Sequence, residues 1–121
     1  MKINRQEIHN KCKGHCGYCG KEITLREMQV DHIKPKWLLE DNQYKNAVSF
    51  EEIHSYDNLM PTCRRCNHYK RGDSLEGYRE KLKTLHERVC SHYIGKVALD
   101  YGIVKIEPFD GIFYFEKMLS S

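Results

Sequence analysis

Apolar residues in this chain come in short, interrupted groups, and each group predicts an element of modest length. Residues 4–12 read as a short helix, with Asn4 placed to cap it and Glu7 three residues on, as in a capping box. Met28-Gln29-Val30 alternates as a strand ending at Asp31-His32, and Pro35 stops regular structure soon after. Across 36–56 the pattern is weak: apolar Trp37-Leu38-Leu39, a turn-like Asp41-Asn42-Gln43, and a helical turn opening at Ser49-Phe50-Glu51-Glu52. His54 falls here and is read as a solvated loop histidine. Asn58-Leu59-Met60-Pro61 then leads into a short helix over 64–71.

The C-terminal part opens with a helix signature at Asp73-Ser74-Leu75-Glu76. Leu75, Tyr78, Leu82, Leu85 and Val89 follow at steps of three and four, one apolar stripe for packing. A further helix over about 91–101 carries Tyr93, Val97 and Tyr101 on one face and ends at Gly102. Ile103 to Glu107 and Ile112 to Glu116 alternate like two strands, joined through Pro108-Phe109-Asp110-Gly111 into a hairpin.

Composition limits how these elements hold together. The chain has 121 residues, 40% of them hydrophobic, and a mean hydropathy of −0.73. That predicts one domain, or a small domain with an appendage, around a modest core. The boundary is expected between 1–73 and 74–121, the second part packed on the first. No run of eighteen apolar residues occurs, and Met1-Lys2-Ile3-Asn4-Arg5 lacks the apolar segment of a signal peptide. A soluble, cytoplasmic protein with no membrane partner is expected.

The chain has six cysteines, and a metal staple held by four of them would make up part of that deficit. Four form two Cys-x-x-Cys pairs, Cys16/Cys19 and Cys63/Cys66, the spacing of a closed tetrahedral zinc site and not of a secreted disulfide framework. Cys12 and His15 stand close before the first pair as alternative ligands, although Cys12 reads more simply as a small buried thiol. Cys90 is expected to be a buried structural thiol.

The net charge is +3, and its excess is local. Residues 1–73 hold 13 Lys and Arg against 10 Asp and Glu, whereas 74–121 hold 7 against 7. Arg64, Arg65, Lys70 and Arg71 follow one another with no intervening acid, which suits contacts to a polyanion's phosphates.

Between the cysteine pairs lie residues of another kind. Asp31 offers a carboxylate and Asn67 an amide oxygen, a donor set for a hard divalent ion such as Mg²⁺ or Mn²⁺. His32 follows Asp31, so on an extended strand it points to the other side and can serve as a general base. Asn58 can bond backbone groups and fix the loop that aims His32. A base and an ion on either side of a phosphodiester suit in-line hydrolysis.

Cys16-Gly17-Tyr18-Cys19-Gly20-Lys21, Val30-Asp31-His32-Ile33-Lys34-Pro35, Asp57-Asn58-Leu59 and Cys63-Arg64-Arg65-Cys66-Asn67-His68-Tyr69-Lys70 resemble, in this order, the HNH endonucleases of the zinc-knuckle type. The resemblance covers about half the chain. It implies an α+β fold, a small ββα-metal core stapled by a four-cysteine zinc site, with C-terminal helices and a β-hairpin added. It gives His32 the place of the general base, Asn58 that of the central asparagine and Asp31 that of the metal-binding acid. Most members place histidine directly after the last cysteine; here Asn67 stands there, as in some active members, and His68 follows.

The implied partner is DNA, cut with the help of Mg²⁺ or Mn²⁺. The C-terminal part is similar to that of small stand-alone bacterial and phage HNH proteins, which brings in a phage packaging complex or another nuclease as partner. Other readings are a zinc-stapled nucleic-acid-binding module without chemistry, a nuclease acting on RNA, and one active only within the packaging complex. The sequence leaves monomer and dimer open.

Overall fold

The computed structural model describes residues 3–43 and 47–119; Met1 and Lys2, part of the N-terminal run read above, lie outside them. The chain forms two compact units. The first is Met1–Leu75 together with Phe113–Ser121, and the second is Glu76–Ile112.

In the first unit, α1 (Arg5–Lys11) starts where the sequence predicts, with Asn4 Oδ1 accepting from the Glu7 amide at 3.2 Å. Ile8 is its buried contact, and the Lys11 ammonium donates to the carbonyls of Tyr56 and Leu59, both at 2.8 Å. Strands β1 (Gln29–His32) and β2 (Leu59–Thr62) pair antiparallel, with Gln29 opposite Thr62 and His32 opposite Leu59. All four β2 residues are buried. Between the strands lie a 3₁₀ turn (Lys36–Leu39), the single-turn helix α2 (Phe50–Ile53) and a second 3₁₀ turn (Tyr56–Asn58).

Helix α3 (Arg64–Lys70) packs on β1 and completes a ββα arrangement. Cys63 caps its start, with Sγ accepting from the Cys66 amide. The first cysteine pair is tied to the sheet by the Gly17 amide, which donates to the Pro61 carbonyl at 2.8 Å.

The second unit carries α4 (Leu75–Lys83, whose first residue ends the first unit), α5 (Leu85–Ser91) and α6 (Tyr93–Asp100). The apolar stripe of 75–89 is split at Thr84, where φ is −106° and ψ is 0°. Gly95 lets α6 approach α5 closely, since a Cβ there would lie 2.2 Å from the Val89 carbonyl oxygen. Cys90 is half-buried and not the interior thiol expected. Among the described residues no helix is long and apolar enough to cross a membrane.

The predicted C-terminal hairpin is absent: residues 103–113 form no strand, and 114–119 are helical as α7 (Tyr114–Leu119). The alternation of 112–116 hid a helix start, because Glu116 Oε1 accepts from the Phe113 amide three residues back at 2.9 Å. At Asp110-Gly111 the Asp110 side chain accepts from the Ile112 amide, a local turn that leads into the helix and not into a returning strand. The chain then docks on the first cysteine pair. The Tyr114 amide donates to the Tyr18 carbonyl and the Phe115 amide to that of Gly17. Phe113 is 1% exposed and meets the Tyr18 ring edge-on, centroids 5.2 Å apart. Gly20, at φ +82°, has Tyr114 where a Cβ would meet its ring at 2.9 Å.

This docking predicts that Phe113→Ala destabilises the protein by about 3–5 kcal/mol, the usual cost of removing a buried aromatic ring. Urea unfolding of the metal-loaded protein measures it. A loss under about 1 kcal/mol would mean that Phe113 does not belong to the first unit's core.

Candidate active site

The two cysteine pairs converge. The Sγ atoms of Cys16, Cys19, Cys63 and Cys66 all lie within 4.8 Å of one another, and those of Cys19 and Cys63 are 3.9 Å apart. Tetrahedral thiolates about 2.3 Å from a zinc ion stand about 3.8 Å apart, so the four can hold a metal such as zinc. Their acidities reflect the crowding. Hydrogen bonds from Cys19 and Cys66 lower the pKa of Cys16, while the bond with Cys16 raises that of Cys19. A bound cation would favour the thiolate form of all four.

The alternative ligands stand apart from this cluster. Cys12 is buried with its sulfur against Met60 Sδ at 4.0 Å, and burial pushes its pKa up to about 11. His15 Nδ1 lies 3.1 Å from the Lys13 carbonyl.

On β1, Gln29 and Asp31 meet α3. Asn67 Nδ2 donates to Gln29 Oε1 at 2.7 Å, and Lys70 pairs with Asp31 Oδ2 at 3.0 Å. Asp31 is 5% exposed, and its Oδ2 also accepts from the Tyr18 hydroxyl at 2.6 Å. Burial raises the Asp31 pKa above the ordinary range, against the opposing influence of Tyr18 and Lys70.

Lys70 corrects one expectation. It is 0% exposed, and its ammonium also donates to the carbonyls of His32 at 3.3 Å and Asp73 at 2.7 Å. A side chain held by three interior oxygens does not reach a phosphate. The sequence shows a basic run; the helix turns its last residue inward. Arg64, Arg65 and Arg71 are exposed, as a phosphate-binding role requires. Arg64, Arg65 and His68 line an open cleft of about 580 Å³ with Lys21, Gln29 and Glu27.

His32, next on the strand, faces another neighbour. Its Nε2 lies 3.3 Å from Nδ1 of His54, with the two rings at 89°. Burial first, then Lys36, His54 and Lys70, push its pKa down to about 4, so the ring is neutral at pH 7. Asn58, 6% exposed, fixes the surroundings. Its Oδ1 accepts from the Lys34 amide at 2.8 Å, and its Nδ2 donates to the carbonyls of Lys34 at 3.1 Å and Ile53 at 2.7 Å. One side chain thus grips the loop after His32 and the residue before His54.

His54 is the neighbour that sequence reasoning passed over. Its position four residues before Asn58 is the sole sequence cue, and that cue gains meaning only once the Asn58 bond to Ile53 is known.

Compared with known proteins, residues 16–72 match the family model for HNH endonuclease. No curated protein and no solved structure matches the chain. The matched span contains both cysteine pairs, Asp31, His32, Asn58 and Asn67. Members of this family are generally nucleases, and the four-cysteine cluster fits the zinc-knuckle type. Residues 16–72 of this chain therefore form a domain of the HNH endonuclease family.

Proposed function

We propose that this protein is a metal-dependent endonuclease that hydrolyses DNA phosphodiester bonds, with His32 as general base. The observation that carries the reading is the Asn58 clamp. Its three bonds to the Lys34 and Ile53 backbone hold the loop next to a half-buried, neutral imidazole. A neutral ring held in place accepts a proton from water, and the resulting hydroxide attacks phosphorus in line with the leaving oxygen.

Zinc is the metal assigned to Cys16, Cys19, Cys63 and Cys66, where it joins the first knuckle to the start of α3. For a catalytic ion the donors are the Asp31 carboxylate and the Asn67 amide oxygen, on facing elements. Their chemistry suits a hard cation such as Mg²⁺ or Mn²⁺, which supplies positive charge for the pentacovalent phosphate. Asp31 would share that ion with the Lys70 ammonium on its Oδ2, so the affinity should be weak without substrate phosphate. Arg64, Arg65 and Arg71 are assigned to DNA phosphates, which position the duplex without reading its sequence.

The same Lys70–Asp31 pairing favours a second reading, a zinc-stapled nucleic-acid-binding module without chemistry. Supercoiled plasmid separates the two. With Mg²⁺ or Mn²⁺ the protein should nick it, and without them it should not. His32→Ala should lower the rate on the order of 10²–10⁴-fold while leaving DNA binding intact. Equal nicking by His32→Ala, or none by the wild type with either ion, overturns the nuclease reading; binding without cleavage supports the second.

Metal analysis tests the frame separately. One zinc per chain is expected, and Cys63→Ser should lose it together with much of the thermal stability, because metal binding is coupled to folding. Two equivalents, or none, would remove the four-cysteine assignment.

A further inference from the structure

His54 follows directly on α2, between the Asp31-His32 and Asn58 segments of the motif. Two ties hold it there. Its backbone amide donates to the Phe50 carbonyl at 3.1 Å, and its ring packs on the Phe50 ring with centroids 4.4 Å apart. Helix α2 is itself fixed, with Ser49 Oγ capping the Glu52 amide and Ile53 fully buried.

Two more ties set the distance from this segment to His32. Asn58 Nδ2 bonds both the Lys34 and Ile53 carbonyls, and the Lys34 ammonium pairs with Glu52. The loop after His32 and the helix before His54 are thus tied through the buried Asn58 side chain, with the exposed Lys34–Glu52 pair as a weaker second contact. The outcome is a nitrogen-to-nitrogen approach of 3.3 Å between perpendicular rings, edge to edge and not stacked.

Two imidazole nitrogens at this separation share one hydrogen, which lies on one ring or the other. If His54 Nδ1 donated, the lone pair of His32 Nε2 would be consumed. If His32 Nε2 donates, its Nδ1 keeps its lone pair and the ring cannot turn without breaking the bond.

We propose that His54 is a positioning residue for His32: it accepts the Nε2–H of His32 and so fixes the tautomer and ring angle in which Nδ1 is the basic atom. This rests on the reading of His32 as general base. The arrangement survives the reaction, because an imidazolium formed by protonation at Nδ1 still donates from Nε2. The role resembles that of any group that orients a catalytic histidine through its second nitrogen. Here an imidazole fills it in place of a carboxylate or a carbonyl.

The test combines kinetics with ¹⁵N long-range correlation spectra of the zinc-loaded protein. In the wild type His32 should carry its proton on Nε2. His54→Phe keeps the ring and its packing on Phe50 but removes both nitrogens. It should lower kcat for metal-dependent plasmid nicking on the order of 10–100-fold, leave KM unchanged, and give mixed tautomers at His32. His54→Asn places an amide oxygen near the former Nδ1 and should restore a single tautomer and most of the rate.

A wild-type proton on His32 Nδ1 overturns the proposal with no variant needed, so it stays testable even if His54→Phe does not fold. An unchanged rate and an unchanged tautomer in folded His54→Phe overturn it too. If the wild type does not nick at all, the nuclease reading fails. The tautomer comparison then decides the pairing alone: a shift in His54→Phe supports it and no shift rejects it.

Discussion

Four sulfur atoms gathered within 4.8 Å of one another are the constraint on which the rest of the first unit depends. They come from two short segments, one near Gly17 and the other at the start of α3. Each segment is also an anchor for something else. The Gly17 amide holds β2, and the Cys63 cap starts the helix that packs on β1. The described apolar core is small, so fixing these segments to one another replaces hydrophobic area that the sequence does not supply.

At the other end of α3 the device is electrostatic. A fully buried ammonium is costly unless its hydrogens are all received, and Lys70 gives its own to a carboxylate and two carbonyls. Those acceptors are Asp31, the backbone of His32 and the backbone of Asp73, so one side chain sets the spacing between helix and strand where the motif residues sit. The same contact that orders Asp31 also limits the charge it can offer to anything else.

Much of the domain was legible because its chemistry is written in short spacings. Two Cys-x-x-Cys pairs, the strand ending at Asp31-His32, and Asn58 just before β2 all depend on neighbours a few residues away. The Asn4 cap of α1 was readable for the same reason. What was not legible needed the third dimension. Lys70 reads as one more member of a basic run until the helix is docked and its side chain proves to point inward. His54 reads as a loop residue until Asn58 binds both loops. The mistaken hairpin was a contest between two periods. Residues 112–116 alternate, but the Phe113 amide already had an acceptor three residues on, and burial of Phe113 against Tyr18 decided for the helix.

The return of Phe113 to Tyr18 has a consequence for how the domain comes into being. The two rings are 113 − 18 = 95 positions apart, and the second unit lies between them in the chain. A contact this distant in sequence carries a large loop-closure entropy and raises the contact order of an otherwise locally organised fold. During synthesis the knuckle around Cys16 and Cys19 is made first, and its aromatic cover follows only after the whole second unit has been made. Until then the Tyr18 ring lacks that cover, and the incomplete core is exposed to aggregation.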